Sequence, residues 1–275
     1  MRIIGLIAAK EVKDGLANRW VAALIAMLAG LALVLALIGA APGGGVKASA
    51  LSVTVVSLAS LTVYLIPLMA LLLSHDAIVG AHERGTLGLL LAYPVRRGQV
   101  LIGKVLGQIA ILSFAITLGF GIAALVVTAL GGADRDGWLA FAGLVASAIL
   151  LAAVFVAFGT LLSALSLDRA RAAGLAIALW LGLVVVYDFG LLGLLLADTD
   201  QTLTPGLLTG LLLANPSDAF RIFNLTLIEG AREVGGLAGL GADAVPNGAL
   251  PLGLLAAWTV AALGAAMGVF QRREI

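Results

Sequence analysis

Six apolar runs, each long enough to cross a bilayer, constrain this chain more than any other feature. They cover about 20–41, 49–73, 100–130, 138–165, 172–197 and 249–270. A spanning helix needs about 20 mostly apolar residues, because the hydrocarbon core is about 30 Å thick and a helix rises about 1.5 Å per residue. The third and fourth runs exceed that thickness, so they tilt or project beyond it. Composition agrees: the chain is 62% hydrophobic and 11% charged, against about 25% charged in soluble domains. Mean hydropathy is +1.15. The fold class expected is all-α, a polytopic membrane protein whose residues 1–275 form one transmembrane domain.

Lysine and arginine set an orientation. An even number of spans puts both ends of the chain on one side. Of 16 basic residues, Arg2, Lys10, Lys13, Arg19, Arg84, Arg96, Arg97, Lys104, Arg169, Arg171, Arg272 and Arg273 share that side. Lys47, Arg135, Arg221 and Arg232 fall on the other. The Lys/Arg-rich side is cytoplasmic, so both termini are expected in the cytoplasm of a cell whose inner (plasma) membrane holds the protein.

Residues 1–19 read as an interfacial helix. Ile3, Ile4, Ile7, Ala8, Val12 and Leu16 share a broad apolar sector, while Arg2, Lys10 and Lys13 lie elsewhere, a pattern suited to anionic headgroups. Glu11 falls inside the apolar sector, and pairing with a cationic neighbour is one reading of it. Charges from Lys10 to Arg19 precede the first long run, which argues against a cleavable signal.

Residues 198–248 form the largest segment on the far, periplasmic side. Within it, Asn215-Pro216-Ser217-Asp218 reads as a helix start: Asn caps, Pro takes the first helical position, and Asp complements the positive end. Phe220, Phe223 and Leu227 follow at helical spacing. A seventh span at 207–228 would bury Asp218 and Arg221 near its centre at about 2.5–3.5 kcal/mol each. The expectation is instead a short re-entrant apolar piece, then an external amphipathic helix on the outer surface. Gly235, Gly236, Gly239 and Gly241 would form a flexible return. Asn215, Asp218, Phe220, Arg221 and Phe223 are the candidate contacts for a periplasmic partner.

Residues able to do chemistry are few. With no cysteine, disulfides, thiolate metal sites and cysteine nucleophiles are excluded. His75 and His82 would stand about 10 Å apart along a helix, whereas one metal held from one helix wants ligands at i, i+4. Met27, Met69 and Met267 are scattered and make no soft-metal relay. Gly98-Gln-Val-Leu-Ile-Gly103-Lys104-Val105 nearly spells a phosphate-binding loop. Val105 has no hydroxyl for Mg²⁺, and such a loop joins a strand to a helix. The stretch reads as the start of the third spanning helix, with Lys104 snorkelling to the interface. No nucleophile–base pair stands out and no internal repeat suggests an inverted-repeat transporter. The chain is expected to be no enzyme and to bind no metal or cofactor. Tyr187 and Asp188 form a possible intramembrane polar site, because an ionisable residue inside a span is a functional-site hypothesis by default. An interfacial carboxylate with a structural hydrogen bond is the equal alternative.

One water-facing stretch, residues 74–99, separates the second run from the third. It reads Ser74-His75-Asp76-Ala77-Ile78-Val79-Gly80-Ala81-His82-Glu83-Arg84-Gly85-Thr86-Leu87 and closes with Tyr93-Pro94-Val95-Arg96-Arg97-Gly98. Gly85 can break a helix, Thr86 can cap the next, and Pro94 ends it. The result is a short kinked element, apolar at Ile78, Val79, Leu87, Leu89, Leu90 and Leu91, and charged at Asp76, Glu83 and Arg84. It is suited to receive force from a partner, although a plain amphipathic loop helix has the same pattern.

Glu83-Arg84-Gly85-Thr86-Leu87, followed by Leu90, Pro94, Arg96-Arg97 and Gly103-Lys104, resembles the signature after the second span of ABC-2 type transporter permeases. The six spans, Ala9-Lys10-Glu11 and the want of a Walker motif agree, so the resemblance covers the whole chain. It implies a type V exporter-like fold and a homodimer in membrane lipid, with no nucleic acid involved. It also implies a coupling helix that docks into a separate cytoplasmic ABC ATPase, which holds the ATP and Mg. His75, Asp76, His82, Glu83, Arg84, Gly85, Thr86 and Leu87 are thereby assigned to ATPase coupling. A narrower likeness, carried by Asn215-Pro216-Ser217-Asp218-Ala219-Phe220-Arg221-Ile222 and Ser74-His75-Asp76, is to the permeases associated with nitrous oxide reductase maturation. That likeness implies a periplasmic accessory protein, and a sulfur species or copper as cargo. The poverty of soft ligands argues against copper crossing through these spans. It leaves a sulfur compound, or mechanical work on an external partner. A generic ABC-2 exporter of a lipid, drug or other small molecule is the alternative.

Overall fold

The structure is a computed structural model that describes residues 2–39, 50–131, 133–198, 204–227 and 248–273. Among these residues every regular element is helical, and six spans are long and apolar enough to cross a membrane. Five are single helices: α2 (Arg19–Gly39), α3 (Ala50–Ser74), α6 (Arg97–Gly131), α7 (Arg135–Leu165) and α12 (Ala249–Arg272). The other, Arg169–Ala197, is composite. It joins α8 (Arg169–Leu181) to α9 (Tyr187–Ala197) through a π-helical turn at Gly182–Val186. The expected six-span, all-α architecture is the one the chain adopts. α6 and α7, with 35 and 31 residues, are the two runs whose length exceeded the hydrocarbon thickness.

The apolar patterns decide which spans sit inside. α3 and α7 occupy the centre, where Leu58, Val63, Ile66, Leu151, Val154 and Phe155 are fully buried. α2, α8, α9 and α12 lie outside and leave Val34, Ile177, Phe189 and Val260 bare. Lipid tails solvate such side chains as well as a protein core does, so an apolar exterior costs nothing in a bilayer.

α1 (Arg2–Leu16) packs lengthwise on the first half of α6. A Cβ at Gly103 would stand 2.7 Å from the Ile7 Cβ, and one at Gly107 would stand 2.5 Å from the Glu11 Cβ. Farther along, Gly15 meets Ile111, so the two helices run in the same direction. The Gly103-x-x-x-Gly107 spacing lets the backbones close up and brings Lys104 Nζ to 2.5 Å from Glu11 Oε1. Lys104 is only 7% exposed. It is therefore paired inside the contact rather than reaching for the interface, which corrects the snorkelling expectation and accounts for Glu11 in the apolar sector. On the exposed side of α1, Lys10 donates to Asp14 at 2.8 Å. That bond holds the ammonium above, and the carboxyl below, its ordinary pKa. The near phosphate-loop at 98–105 is helical throughout, because α6 runs unbroken from Arg97.

Between the fifth and sixth spans, α10 (Pro205–Ala214) and α11 (Pro216–Thr226) meet at Asn215. Two hydrogen bonds fix the depth of this corner. Asn215 Nδ2 donates to the Leu183 carbonyl at 2.7 Å, and Leu183 lies midway along the Arg169–Ala197 span. Trp258 Nε1 donates to the Ala214 carbonyl at 3.2 Å, about 13 Å along α12 from Ala249 at 1.5 Å per residue. The pair is thus a re-entrant hairpin with its corner at mid-depth. α11 packs against α3, α7 and α12 and buries Pro216, Asp218, Phe220, Ile222, Asn224 and Leu225. It is not the exposed outer-surface helix expected: the bundle encloses it, and Arg221 pairs with Asp188. The expected return through Gly235, Gly236, Gly239 and Gly241 lies outside the described residues.

Candidate functional site: a kinked end element and a buried polar corner

At the arginine-rich end of the bundle, α4 (Val79–Glu83) and α5 (Thr86–Leu91) follow α3. Gly85 joins them at φ 68°, a backbone conformation that only glycine adopts without steric cost. Gly85, not Thr86, occupies the cap position of α5. The Thr86 hydroxyl instead donates back to the Ala81 carbonyl at 3.1 Å, which corrects the capping expectation and stiffens the kink. The leading N–H groups of a helix have no partner within it. Here Ile78 N and Val79 N both donate to Ser163 Oγ on α7, at 3.0 and 3.1 Å.

Arg169, the first residue of α8, gathers the acidic residues of this element. Its Nη2 donates to Asp76 Oδ2 at 2.6 Å, and its backbone N–H donates to Glu83 Oε1 at 3.0 Å. Arg84 Nη1 adds a longer bond to the same Asp76 oxygen at 3.4 Å. Asp168 caps α8 by accepting from Arg171 N at 2.8 Å, so the turn that presents Arg169 is itself fixed.

Of the eight residues assigned to coupling, Asp76, Glu83 and Arg84 thus join one network. His82, Gly85 and Thr86 are exposed beside them, and His75 Nδ1 donates to the Leu72 carbonyl at 3.0 Å. Leu87 is fully buried in the core because α5 turns that face inward. The bare apolar side chains at this end are Leu89, 70% exposed, and Tyr93, 71% exposed, on the kinked element, and Leu167, 73% exposed, in the α7–α8 turn. Ser163 and Arg169 were not singled out in the sequence. A buried serine and a helix-start arginine have no spacing that marks them.

The second cluster forms at mid-depth, where α9 meets the hairpin corner. Tyr187 donates its hydroxyl to the Leu211 carbonyl at 2.6 Å. Arg221 Nη1 donates to Asp188 Oδ2 and to Asp218 Oδ1, each at 3.1 Å. Asn215 does three things at once. Its Oδ1 accepts from Ser217 N at 3.0 Å, which is the helix cap read from the sequence. Its Nδ2 reaches Asp218 Oδ2 at 3.0 Å and the Leu183 carbonyl. A π-helical turn shifts the backbone pairing by one residue, and here Tyr187 N bonds Gly182 O while the Leu183 carbonyl accepts from Asn215. Asp188 is therefore an ion-pair partner and not a lone carboxylate.

Asn215, Asp218, Phe220 and Phe223 are 1%, 0%, 0% and 8% exposed, and the Arg221 side chain is 21% exposed. These five were the candidates for periplasmic contact, and the fold encloses them. The polar face of α11 meets Asp188 and Ser147, the latter accepting from Asn224 Nδ2 at 3.1 Å. Its apolar face meets the bundle.

The fold is an all-helical bundle of six candidate spans, with a kinked and exposed element after the second. The chain belongs to the ABC-2 family of transporter proteins, whose pattern matches residues 6–275, and it is a multi-pass ABC transporter permease. It is 45% identical over 270 residues to the "Probable ABC transporter permease protein NosY" of Stutzerimonas stutzeri, covering 97% of each chain. It is 44% identical over 278 residues to the protein of the same name from Pseudomonas aeruginosa, covering 100% of each.

Proposed function

We propose that this permease is driven by a separate cytoplasmic ABC ATPase that docks on the element at 74–94. The observation that carries the reading is that Leu89 and Tyr93, on the kinked element, and Leu167, in the α7–α8 turn next to Arg169, are all bare at this charged end of the bundle. Large apolar side chains bare at a charged bundle end, and not on its lipid-facing sides, mark a protein-binding surface. The excess of lysine and arginine at this end supports a cytoplasmic location. The protein then sits in the bacterial inner membrane with both termini inside, and two copies work with two ATPases. ATP and Mg belong to those partner subunits. ATP shifts the assembly only through its different affinity for the open and closed ATPase pair, and the kinked element carries that shift into the second and third spans.

The likeness to proteins named NosY supports a place in the copper–sulfur cluster maturation of nitrous oxide reductase. The partners would be an ATPase of the NosF kind and a periplasmic protein of the NosD kind. The work done is export of a sulfur species or a conformational push on the periplasmic protein. Tagged protein drawn from native membranes tests the docking. The wild type brings down an ATPase, whereas Leu89→Asp with Tyr93→Asp inserts normally and loses it. Equal recovery of the ATPase by both would refute the docking site.

A further inference from the structure

Two arginines at the same end take no part in the Arg169 network. Arg97, the first residue of α6, donates through Nη1 to the carbonyls of Phe270, Gln271 and Arg273, at 3.0, 3.1 and 2.6 Å. Its guanidinium also lies 5.9 Å from the centre of the Phe270 ring, within range of a cation–π attraction. Arg273 in turn donates through Nη1 to the carbonyls of Ser163 and Ala164, at 3.2 and 3.1 Å. Both sets of acceptors belong to the ends of helices. Final-turn carbonyls have no partner within the helix, and they sit at the negative end of its dipole, where a cation is favoured.

Ser163 closes the circuit. Its carbonyl takes Arg273, and its hydroxyl takes the leading N–H groups of the kinked element. The leading end of that element is therefore fixed to α7, the start of α6, which follows it, to α12, and the end of α12 to α7. The tie to α8 is of a weaker kind, because the Arg169 side chain is 46% exposed and water screens its ion pairs. α7 and α12 are also the helices that hold the re-entrant hairpin, through Ser147 and Trp258.

We propose that Ser163, Arg97 and Arg273 are positioning residues that transmit displacement of the kinked element into α7 and α12 as one body, and through them to the hairpin. The inference rests on the ATPase-driven reading above. Residues along a real coupling network change coupling by about two- to thirtyfold when removed, and that is the effect expected here.

The chain has no native cysteine, so Leu207→Cys, at a 51% exposed position on α10, gives a single reporter on the hairpin. Its reaction rate with a maleimide is measured in the reconstituted permease–ATPase complex, without nucleotide and with ATP plus vanadate. The parent complex is expected to show a nucleotide-dependent rate. Arg273→Ala is expected to bind the ATPase and sustain hydrolysis while that dependence falls about two- to thirtyfold. Arg273→Lys, which keeps a cationic donor for the same carbonyls, is expected to restore part of it. Ser163→Ala breaks the circuit at a second point and carries the test should Arg273→Ala fail to insert. Full nucleotide response in both alanine variants overturns the inference and leaves the ATPase-driven reading standing. Loss of ATPase binding or hydrolysis together with the response in both variants marks a structural fault and overturns it as well. A parent complex with no nucleotide response overturns the reading and the inference together.

Discussion

At the scale of single residues, the informative side chains are those that break their local pattern. Glu11 spoils the apolar face of α1, and Lys104 opens a span where an apolar residue would be cheaper. The two explain each other across a separation of 93 positions. Their side chains are 21% and 8% exposed, so removing one leaves the other charge half-enclosed and unpaired. Such a loss costs about 3 kcal/mol, whereas removing both charges together costs far less. Lys104→Met alone should therefore lower the melting temperature of the detergent-solubilised protein more than Lys104→Met with Glu11→Gln. Melting temperatures for the single and double variants check this, and purely additive losses would show that the pair is not coupled. The sequence carried the anomaly at Glu11 but not its solution. The partner depends on a close helix contact made by Gly103 and Gly107, and glycine pairs are too common in this chain to single one out.

Elements show the same division between local and long-range information. The six spans were legible to within a few residues, because each is a long apolar run with charge or glycine at its ends. The Asn215 cap and Pro216 start were legible too, since capping chemistry is local. The depth of α11 was not. A helix with Asp218 and Arg221 on one side and Phe220 and Phe223 on another reads alike on a wet surface and in a core that supplies a matching polar neighbour. That neighbour is Asp188, 33 positions away, on a span whose π-helical turn left no trace in Gly-Leu-Val-Val-Val. Asn215 is where the two meet, so it stabilises more than a helix end. Asn215→Ala should remove the cap, worth about 0.5–2 kcal/mol, and leave buried partners at Leu183 and Asp218 unsatisfied for about 1–3 kcal/mol more. Asn215→Ser keeps an oxygen for Ser217 N but is too short to reach Leu183, so it should recover only the cap. Thermal stability of the two variants checks the order. Amide exchange across 183–187 should quicken in both, because both release the Leu183 carbonyl.

Over the whole molecule, the kinked end element and the polar corner are distinct clusters joined by continuous helices, α7 and α12 on one side and the composite fifth span on the other. The Arg169 network ties the kinked element to α8, and α9 carries Asp188 just past the middle of the same span. If the ATPase-driven function proposed above holds, Glu83 is the residue whose loss is expected to separate stability from work. Its side chain is 38% exposed, so solvent screening limits its contribution to folding to less than about 1 kcal/mol. Yet its Oε1 holds the first N–H of α8, and it belongs to the same kinked element as the bare Leu89 and Tyr93. Glu83→Arg would place a third guanidinium beside Arg84 and Arg169 and break that tie. The variant should insert and fold as the wild type does and still bring down the ATPase through the apolar surface. ATP turnover by the complex should continue, while nitrous oxide reductase matured in cells carrying the variant should lose activity. Turnover by reconstituted complex and reductase activity are the two measurements. Continued turnover with loss of maturation is what a severed handle produces, because the ATPase still closes on ATP but no longer moves the spans. If both measurements stay at wild-type level, force enters the bundle by another route, and Leu89 and Tyr93 serve only to anchor the ATPase.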